Sequence, residues 1–180
     1  MPLRANMTSM ADDLWRKLVG DTWAVLGAAE TRLQTLEVRL SRDESWPTDA
    51  ISEASWRLSE GANAAWWTAL RLRLDPQQEP AIGEAPRLDL AVAEDRAVFL
   101  SEGWAIVTQL DAWDRRLWDE RGQYREADQA AEIFEAGRRA GQAASRLRGV
   151  LETVERDAAT GDWAMAIRAH RPVLQPADPT

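Results

Sequence analysis

The sequence predicts an all-α fold: an antiparallel bundle of four long helices, arranged as two helical hairpins, with a short helix near the C-terminus. Three observations support this prediction. Leu, Ala, Arg and Glu dominate over β-branched residues, apolar residues recur at three- and four-residue steps, and prolines cluster between the periodic stretches. With 180 residues, 45% of them hydrophobic, the chain is long enough for one packed core. We therefore expect a single helical domain over residues 1–180.

The first hairpin is predicted over residues 8–74. Thr8 and Ser9 are favourable N-caps for a helix that reaches about Arg42. Pro47 suits the first turn of a second helix, where its missing N–H costs no hydrogen bond. The apolar stripe of the first helix consists of Trp15, Leu18, Thr22, Val25, Ala29, Leu33, Leu36 and Leu40.

The second hairpin is predicted over residues 88–160, with its turn at Gly122. Residues 75–87 contain three prolines and a glycine, so they form the one long connection between the hairpins. Residues 162–171 are expected to form the short helix, and residues 172–180, with three prolines, a tail.

The two hairpins share a faint internal similarity. The segment Leu18–Leu26 matches the segment Phe99–Val107 in residue class at every position, which aligns Trp23 with Trp104. Helical sequences of biased composition also align by chance. Duplication of one hairpin and chance similarity therefore both stay open.

A stack of helical repeats is the alternative architecture. Gly122 and Tyr124, and again Gly161, Asp162 and Trp163, resemble the Gly-Asp-Tyr start of the second helix of a tetratricopeptide repeat. The resemblance implies a helical interaction module. Helix length separates the two architectures, because a repeat has helices of about 15 residues and the bundle has helices of about 30.

The composition excludes several functional classes. The chain has no cysteine and one histidine, so disulfide frameworks, thiolate metal sites and Cys/His nucleophiles lack their side chains. It also has neither a glycine-rich phosphate loop nor a G-x-S-x-G motif. We expect no cofactor, and the scarcity of catalytic side chains and motifs favours a non-enzymatic protein.

Charge and hydropathy narrow the partners and the compartment. A net charge of −8 argues against general nucleic-acid binding, which depends on basic side chains that neutralise phosphates. The N-terminal residues lack the apolar stretch of a signal peptide, and no stretch approaches the roughly 18 apolar residues of a membrane span. We therefore expect a cytoplasmic protein without a membrane partner.

Four small residues lie at four-residue intervals in the predicted fourth helix: Gly137, Gly141, Ser145 and Gly149. In a helix they share one ridge, along which a neighbouring backbone can approach closely. Gly61, Ala65 and Ala69 of the second helix are the predicted partner of this small-residue ridge. The alternative interpretation makes the ridge the floor of a ligand groove.

Most of the ten tryptophans are predicted to fill the core. Trp66 and Trp67 differ, because adjacent helical residues point about 100° apart and cannot both enter one narrow seam. One interpretation places one of them at a rim, an interface or a pocket mouth. The other buries both between three helices.

A basic run in the fourth helix contains four arginines and no acid between residues 138 and 148: Arg138, Arg139, Arg146 and Arg148. Residues 77–121 carry ten acidic and five basic residues. We expect the basic run to pair with the acidic third helix, within the chain or across an oligomer. Binding of an anion or a nucleic acid is the alternative, since arginine suits phosphate.

Two Glu-x-x-Glu pairs are the best pattern for chemistry: Glu132, Glu135, Glu152 and Glu155. The pattern resembles the paired-acid helices of all-α nucleotide pyrophosphohydrolases of the MazG type, and the resemblance implies a Mg²⁺ site. In one continuous helix, however, Glu135 and Glu152 lie 17 residues and so roughly 25 Å apart, which is too far to share a cation.

The leading hypothesis is a non-enzymatic scaffold or adaptor that binds a protein partner, itself, or both. Catalytic side chains are scarce and bulky apolar surface is abundant. The alternatives are a Mg²⁺-dependent nucleotide hydrolase, and a bundle that binds a small molecule near Trp66, Trp67 and the small-residue ridge.

Overall fold

The computed structural model describes residues 3–40, 48–71, 87–120 and 128–160. The described chain forms four helices: α1 (Leu3–Arg39), α2 (Thr48–Arg71), α3 (Ala93–Glu120) and α4 (Asp128–Thr160). They pack against one another as an all-α four-helix bundle, and the described ranges contain no strand, only an isolated bridge between Leu40 and Leu88. The predicted all-α four-helix bundle is confirmed. The helices have 24 to 37 residues, which favours the bundle over stacked short repeats.

Cross-helix contacts give the order of the helices around the bundle. α1 packs on α2 and α3, α4 also packs on α2 and α3, and α1 and α4 barely touch across the centre. Residue numbers rise in one helix as they fall in its neighbour, so each adjacent pair is antiparallel. The contacts between α1 and α2 are Glu37–Ser52 and Glu30–Ser59, and those between α1 and α3 are Arg32–Glu102 and Asp21–Arg116. The contacts between α2 and α4 are Arg57–Gln142 and Glu60–Arg139, and those between α3 and α4 are Trp104–Glu155 and Asp111–Arg148.

Because α2 and α3 both run opposite to α1, they run in the same direction on opposite corners of the bundle. Arg71 and Leu88 therefore lie at opposite ends. The sequence predicts its one long connection, residues 75–87, in this interval, and most of that segment lies outside the described residues. The predicted short helix 162–171 and the tail 172–180 lie outside them as well.

The core follows the periodicity of the sequence. Of the stripe predicted on α1, every residue is buried except Val25, which is half-buried. Phe99, Leu110 and Leu147 meet this stripe from α3 and α4 in the main apolar cluster. A second cluster, towards the Arg71 end of the bundle, is built around Trp15, Trp113, Leu117 and Ile133.

Two predicted helix starts are wrong. α1 continues back to Leu3, so Thr8 and Ser9 lie inside the helix and are not its N-caps. α3 begins at Ala93 instead of Leu88, because Asp89 forms a turn before it: its side chain accepts a hydrogen bond from the Ala91 N–H at 2.9 Å. Leu88 and Leu90, on either side of Asp89, are buried in the core.

Candidate functional site

An open groove of 670 Å³ lies between α3 and α4. Its apolar walls are formed by Leu117 and Trp118 of α3 and by Phe134 of α4. Its floor includes three members of the small-residue ridge, namely Gly137, Gly141 and Ser145. Three charged side chains reach its edges, namely Asp114, Glu135 and Arg138. We call this feature the α3–α4 groove.

The floor is shaped by close contacts from α3. A β-carbon on Gly137 would lie 2.9 Å from Leu117 Cδ1, and one on Gly141 would lie 3.1 Å from Asp114 Oδ2. The glycines therefore let α3 side chains approach the α4 backbone. Gly149, at the far end of the ridge, has nothing within 4 Å of the position its β-carbon would occupy.

The predicted partner of the ridge is wrong. Gly61 of α2 faces the Ala136 backbone, with its notional β-carbon 3.3 Å from the carbonyl oxygen, whereas Gly137 and Gly141 face α3. The rotation of α4 about its axis decides this, since α4 directs Ala136 at α2 and Gly137 and Gly141 at α3. The ridge therefore supports close packing at its first two positions and also floors a groove.

Trp118 dominates the rim of the groove. Its side chain is 61% exposed, although it follows directly after the buried Leu117. Adjacent helical residues point about 100° apart, so residue 118 falls just outside the apolar stripe of α3. Phe134, opposite it, is half-buried.

Asp114 is one of the three titratable groups at the edges of the groove. Burial, and to a smaller extent the nearby Asp111 carboxylate, raise the pKa of Asp114 above its usual value. Asp111 itself pairs with Arg148. Within the described part of the chain, Asp114 makes no hydrogen bond or ion pair, so its carboxylate is available to a ligand or a partner.

The basic run is paired within the chain, but mostly not with α3. Arg148 reaches Asp111 of α3 as predicted. Arg139 and Arg146 instead reach α2, at Glu60 and Glu53. Arg138 pairs with Glu135 of its own helix, and this hydrogen bond, against an opposing effect of burial, lowers the pKa of Glu135. Since every one of these guanidinium groups has a carboxylate partner, the run is not a free anion site.

Of the adjacent tryptophans Trp66 and Trp67, Trp67 is the exposed one, with 53% of its surface accessible to solvent. Trp66 is half-buried, and the two rings meet edge to face with centroids 4.8 Å apart. This excludes the arrangement in which both are buried. Neither ring lines the α3–α4 groove, so the predicted pocket that combines them with the small-residue ridge does not form there.

The four glutamates considered as Mg²⁺ ligands are spread along α4. Glu132 bonds to Thr68 and Arg71 of α2, and Glu135 is held by Arg138 and Arg139. Glu152 is exposed, and Glu155 accepts a 2.7 Å hydrogen bond from Trp104 Nε1. Across the four described ranges, no three carboxylate or imidazole groups come together as metal ligands. The carboxylates that the MazG resemblance requires at one cation do not converge.

We compared the chain with protein-family models, with curated proteins and with solved structures. Nothing matched. In the part of the chain that the structure describes, no helix has an apolar stretch of the length that crossing a membrane requires.

Neither Asp114 nor Trp118 belongs to a motif or regular spacing in the sequence. Their four-residue spacing places them on one face of α3, next to the stripe that contains Leu110 and Leu117. An acid and a tryptophan just outside an apolar stripe are the signal that could have identified this edge. It is weak alone, because Trp113 of the same helix is buried.

Proposed function

We propose that the protein is a non-enzymatic helical interaction protein, a self-associating scaffold or adaptor, which docks its partner at the α3–α4 groove. The observation that carries this proposal is Trp118, an indole 61% exposed beside an apolar groove with a glycine floor. Tryptophan is enriched among the residues that dominate binding free energy, and its ring can bury about 150 to 250 Å². A partner that covers it gains this apolar contact.

The frame around the groove supports docking onto a preformed surface. Arg148 ties α4 to α3, and Arg139 ties α4 to α2. Trp104 of α3 bonds to Glu155 further along the same helix pair. A groove held in place by such contacts loses little conformational entropy when a partner binds, which favours affinity.

A site-specific photo-crosslinking experiment tests the proposal. The photoreactive residue benzoylphenylalanine replaces Trp118 in one variant and Trp56 in a matched control, since the Trp56 side chain is 57% exposed and lies outside the groove. In cells that express each full-length variant, we expect adducts, to another protein or to a second copy, from position 118 and none from position 56. No adduct at position 118, or the same adducts from both positions, would contradict the proposal.

A small-molecule site is the second candidate, and the volume of the groove favours it. At 670 Å³ the groove lies within the range of about 300 to 1,000 Å³ typical of ligand pockets. A ligand seated there would change the emission of Trp118. We expect a hit from a ligand screen to change the fluorescence of the wild type and not that of the Trp118→Phe variant. Unchanged emission across the screen would contradict this second function.

A further inference from the structure

We infer that the occupant of the α3–α4 groove is a second copy of this chain, docked about a two-fold axis so that Arg115 of each copy pairs with Asp114 of the other. The inference rests on the proposed docking function of the groove and names its partner. Two unpaired charges and one exposed indole on α3 carry it.

The unpaired charges are adjacent in sequence and opposite in sign. Asp114 is half-buried at the edge of the groove, and Arg115 is exposed. Neither makes an ion pair with any residue in the four described ranges, although other charges around them do. Neighbouring residues on a helix do not face each other, so this acid and this base cannot satisfy one another well. Water can solvate both groups in the free protein, but a partner that covers this part of α3 displaces that water and has to offer an opposite charge to each.

A second copy supplies both at once. In a two-fold interface every contact occurs twice, so that an Arg115 contact with the partner's Asp114 implies the reciprocal contact. A purely basic partner would satisfy Asp114 and oppose Arg115, and a purely acidic partner would do the reverse. The presence of both signs on one patch therefore favours a partner with the same patch.

The indole adds the apolar part of the interface. Trp118 lies four residues after Asp114 and three after Arg115, so the three side chains are neighbours on the surface of α3. Asp114 and Trp118 line the groove, and Arg115 lies beside it, exposed to solvent. Two-fold docking brings Trp118 of each copy to the groove of the other, where Phe134 and Leu117 form apolar walls.

Charge reversal in the full-length chain tests the inference by sedimentation velocity over a concentration series. Asp114→Arg and Arg115→Asp each place like charges opposite one another in the dimer, and we expect each to weaken self-association by at least about tenfold. The double variant restores both pairs. An equimolar mixture of the two single variants also restores them, because each introduced residue then meets its opposite. We expect both to associate within about threefold of the wild type.

The control is Glu94→Arg, which reverses an acidic charge at an exposed residue near the start of the same helix, 21 residues before Arg115. We expect it to associate like the wild type, and circular dichroism checks that every variant is folded. Wild-type self-association that none of the substitutions changes, or that neither the mixture nor the double variant restores, overturns the inference and leaves the docking function standing. A wild type that stays monomeric overturns the inference and the self-association, while photo-adducts from position 118 to another protein would still support docking.

Discussion

Gly103 of α3 lies so close to Leu151 of α4 that a β-carbon on the glycine would stand 2.5 Å from Leu151 Cδ2 and 3.1 Å from Cδ1. Both residues are buried. Leu151 can place its methyl groups against the α3 backbone only because residue 103 has no side chain. Gly103 therefore makes room for the Leu151 side chain between the two helices that also form the groove.

The Gly103→Ala substitution is expected to destabilise the fold. Crowding in a packed core costs about 1 to 3 kcal/mol, and the better helix propensity of alanine returns about 1 kcal/mol, so a net loss of about 1 kcal/mol is expected. Gly149→Ala is the matched control, because its β-carbon would have nothing within 4 Å and should stabilise the helix by about 1 kcal/mol. Urea unfolding measures both free energies. A Gly103→Ala protein as stable as the Gly149→Ala protein would contradict the packing argument.

These glycines show what the sequence could and could not predict. The regular spacing of Gly137, Gly141 and Gly149 predicted a common ridge, and α4 does present the first two to a neighbour. The identity of that neighbour depends on the rotation of α4 relative to two helices, which no local pattern contains. Gly103 belongs to no regular glycine spacing in the sequence. Among the described glycines, however, it is the one whose β-carbon would lie closest to a neighbouring side chain, that of Leu151.

The same distinction holds for the fold and the site. Helix positions were predictable because the three- and four-residue periodicity is local, and the buried stripe of α1 follows it. The start of α3 was not predictable from the periodicity, because the turn at Asp89 competes with the helix through side-chain hydrogen bonds. Trp118 was missed because one step along a helix moves a side chain from core to solvent.

Thr68 and Glu132 link α2 to α4 in a pH-dependent way. Burial alone would raise the pKa of Glu132, but hydrogen bonds from Thr68 and Arg71, with the charge of Arg71, outweigh it and lower the pKa. A lowered folded-state pKa stabilises the protein above the unfolded value, and this stability is lost as the pH falls through the folded value. We expect Thr68→Val to cost about 1 kcal/mol at neutral pH and progressively less in acid.

Urea unfolding from about pH 7 to about pH 3 measures this difference. The control is Thr153→Val, since that buried hydroxyl donates to the Gly149 carbonyl, a group that does not titrate. The cost of the control substitution should not vary with pH. A cost of Thr68→Val that stays constant across the range would contradict the coupling to Glu132.

Asp114 is expected to behave in the opposite way. Because burial and Asp111 raise its pKa, the ionised carboxylate weakens the monomer's fold above the folded-state pKa, and the penalty vanishes below the unfolded value of 3.8. The charged groups around it are Asp111 and Arg115 on α3 and, across the groove, Glu135 and Arg138 on α4.

Replacing Asp114 by Asn should therefore stabilise the dilute, monomeric protein at neutral pH, by no more than about 0.5 kcal/mol. The gain should shrink in acid. Asp119→Asn removes the same charge from an exposed position on the same helix and should change stability little. Thermal unfolding at several pH values compares the two variants. A gain from Asp114→Asn that persists in acid would show that its cause is not the ionised carboxylate.

The ion pair between Arg139 and Glu60 is expected to couple α4 to α2 more strongly than a surface pair. The Arg139 side chain is only 22% exposed and also contacts Glu135 at 3.0 Å, so water screens the pair poorly. A double-mutant cycle with Arg139→Gln and Glu60→Gln should give a coupling free energy of about 1 kcal/mol. Lys17 and Asp21 on α1 are the control pair, because the Lys17 side chain is 69% exposed and a coupling of about 0.3 kcal/mol is expected.

Salt distinguishes the two pairs further. At high ionic strength the coupling of the exposed Lys17–Asp21 pair should disappear, whereas most of the Arg139–Glu60 coupling should persist because partly buried charges are screened less. Urea unfolding of the variants at low and high salt measures both cycles. Equal couplings in the two cycles, or an Arg139–Glu60 coupling that salt abolishes, would mean that this bridge does not hold α4 in place beside α2. The groove would then depend on apolar packing alone for its shape.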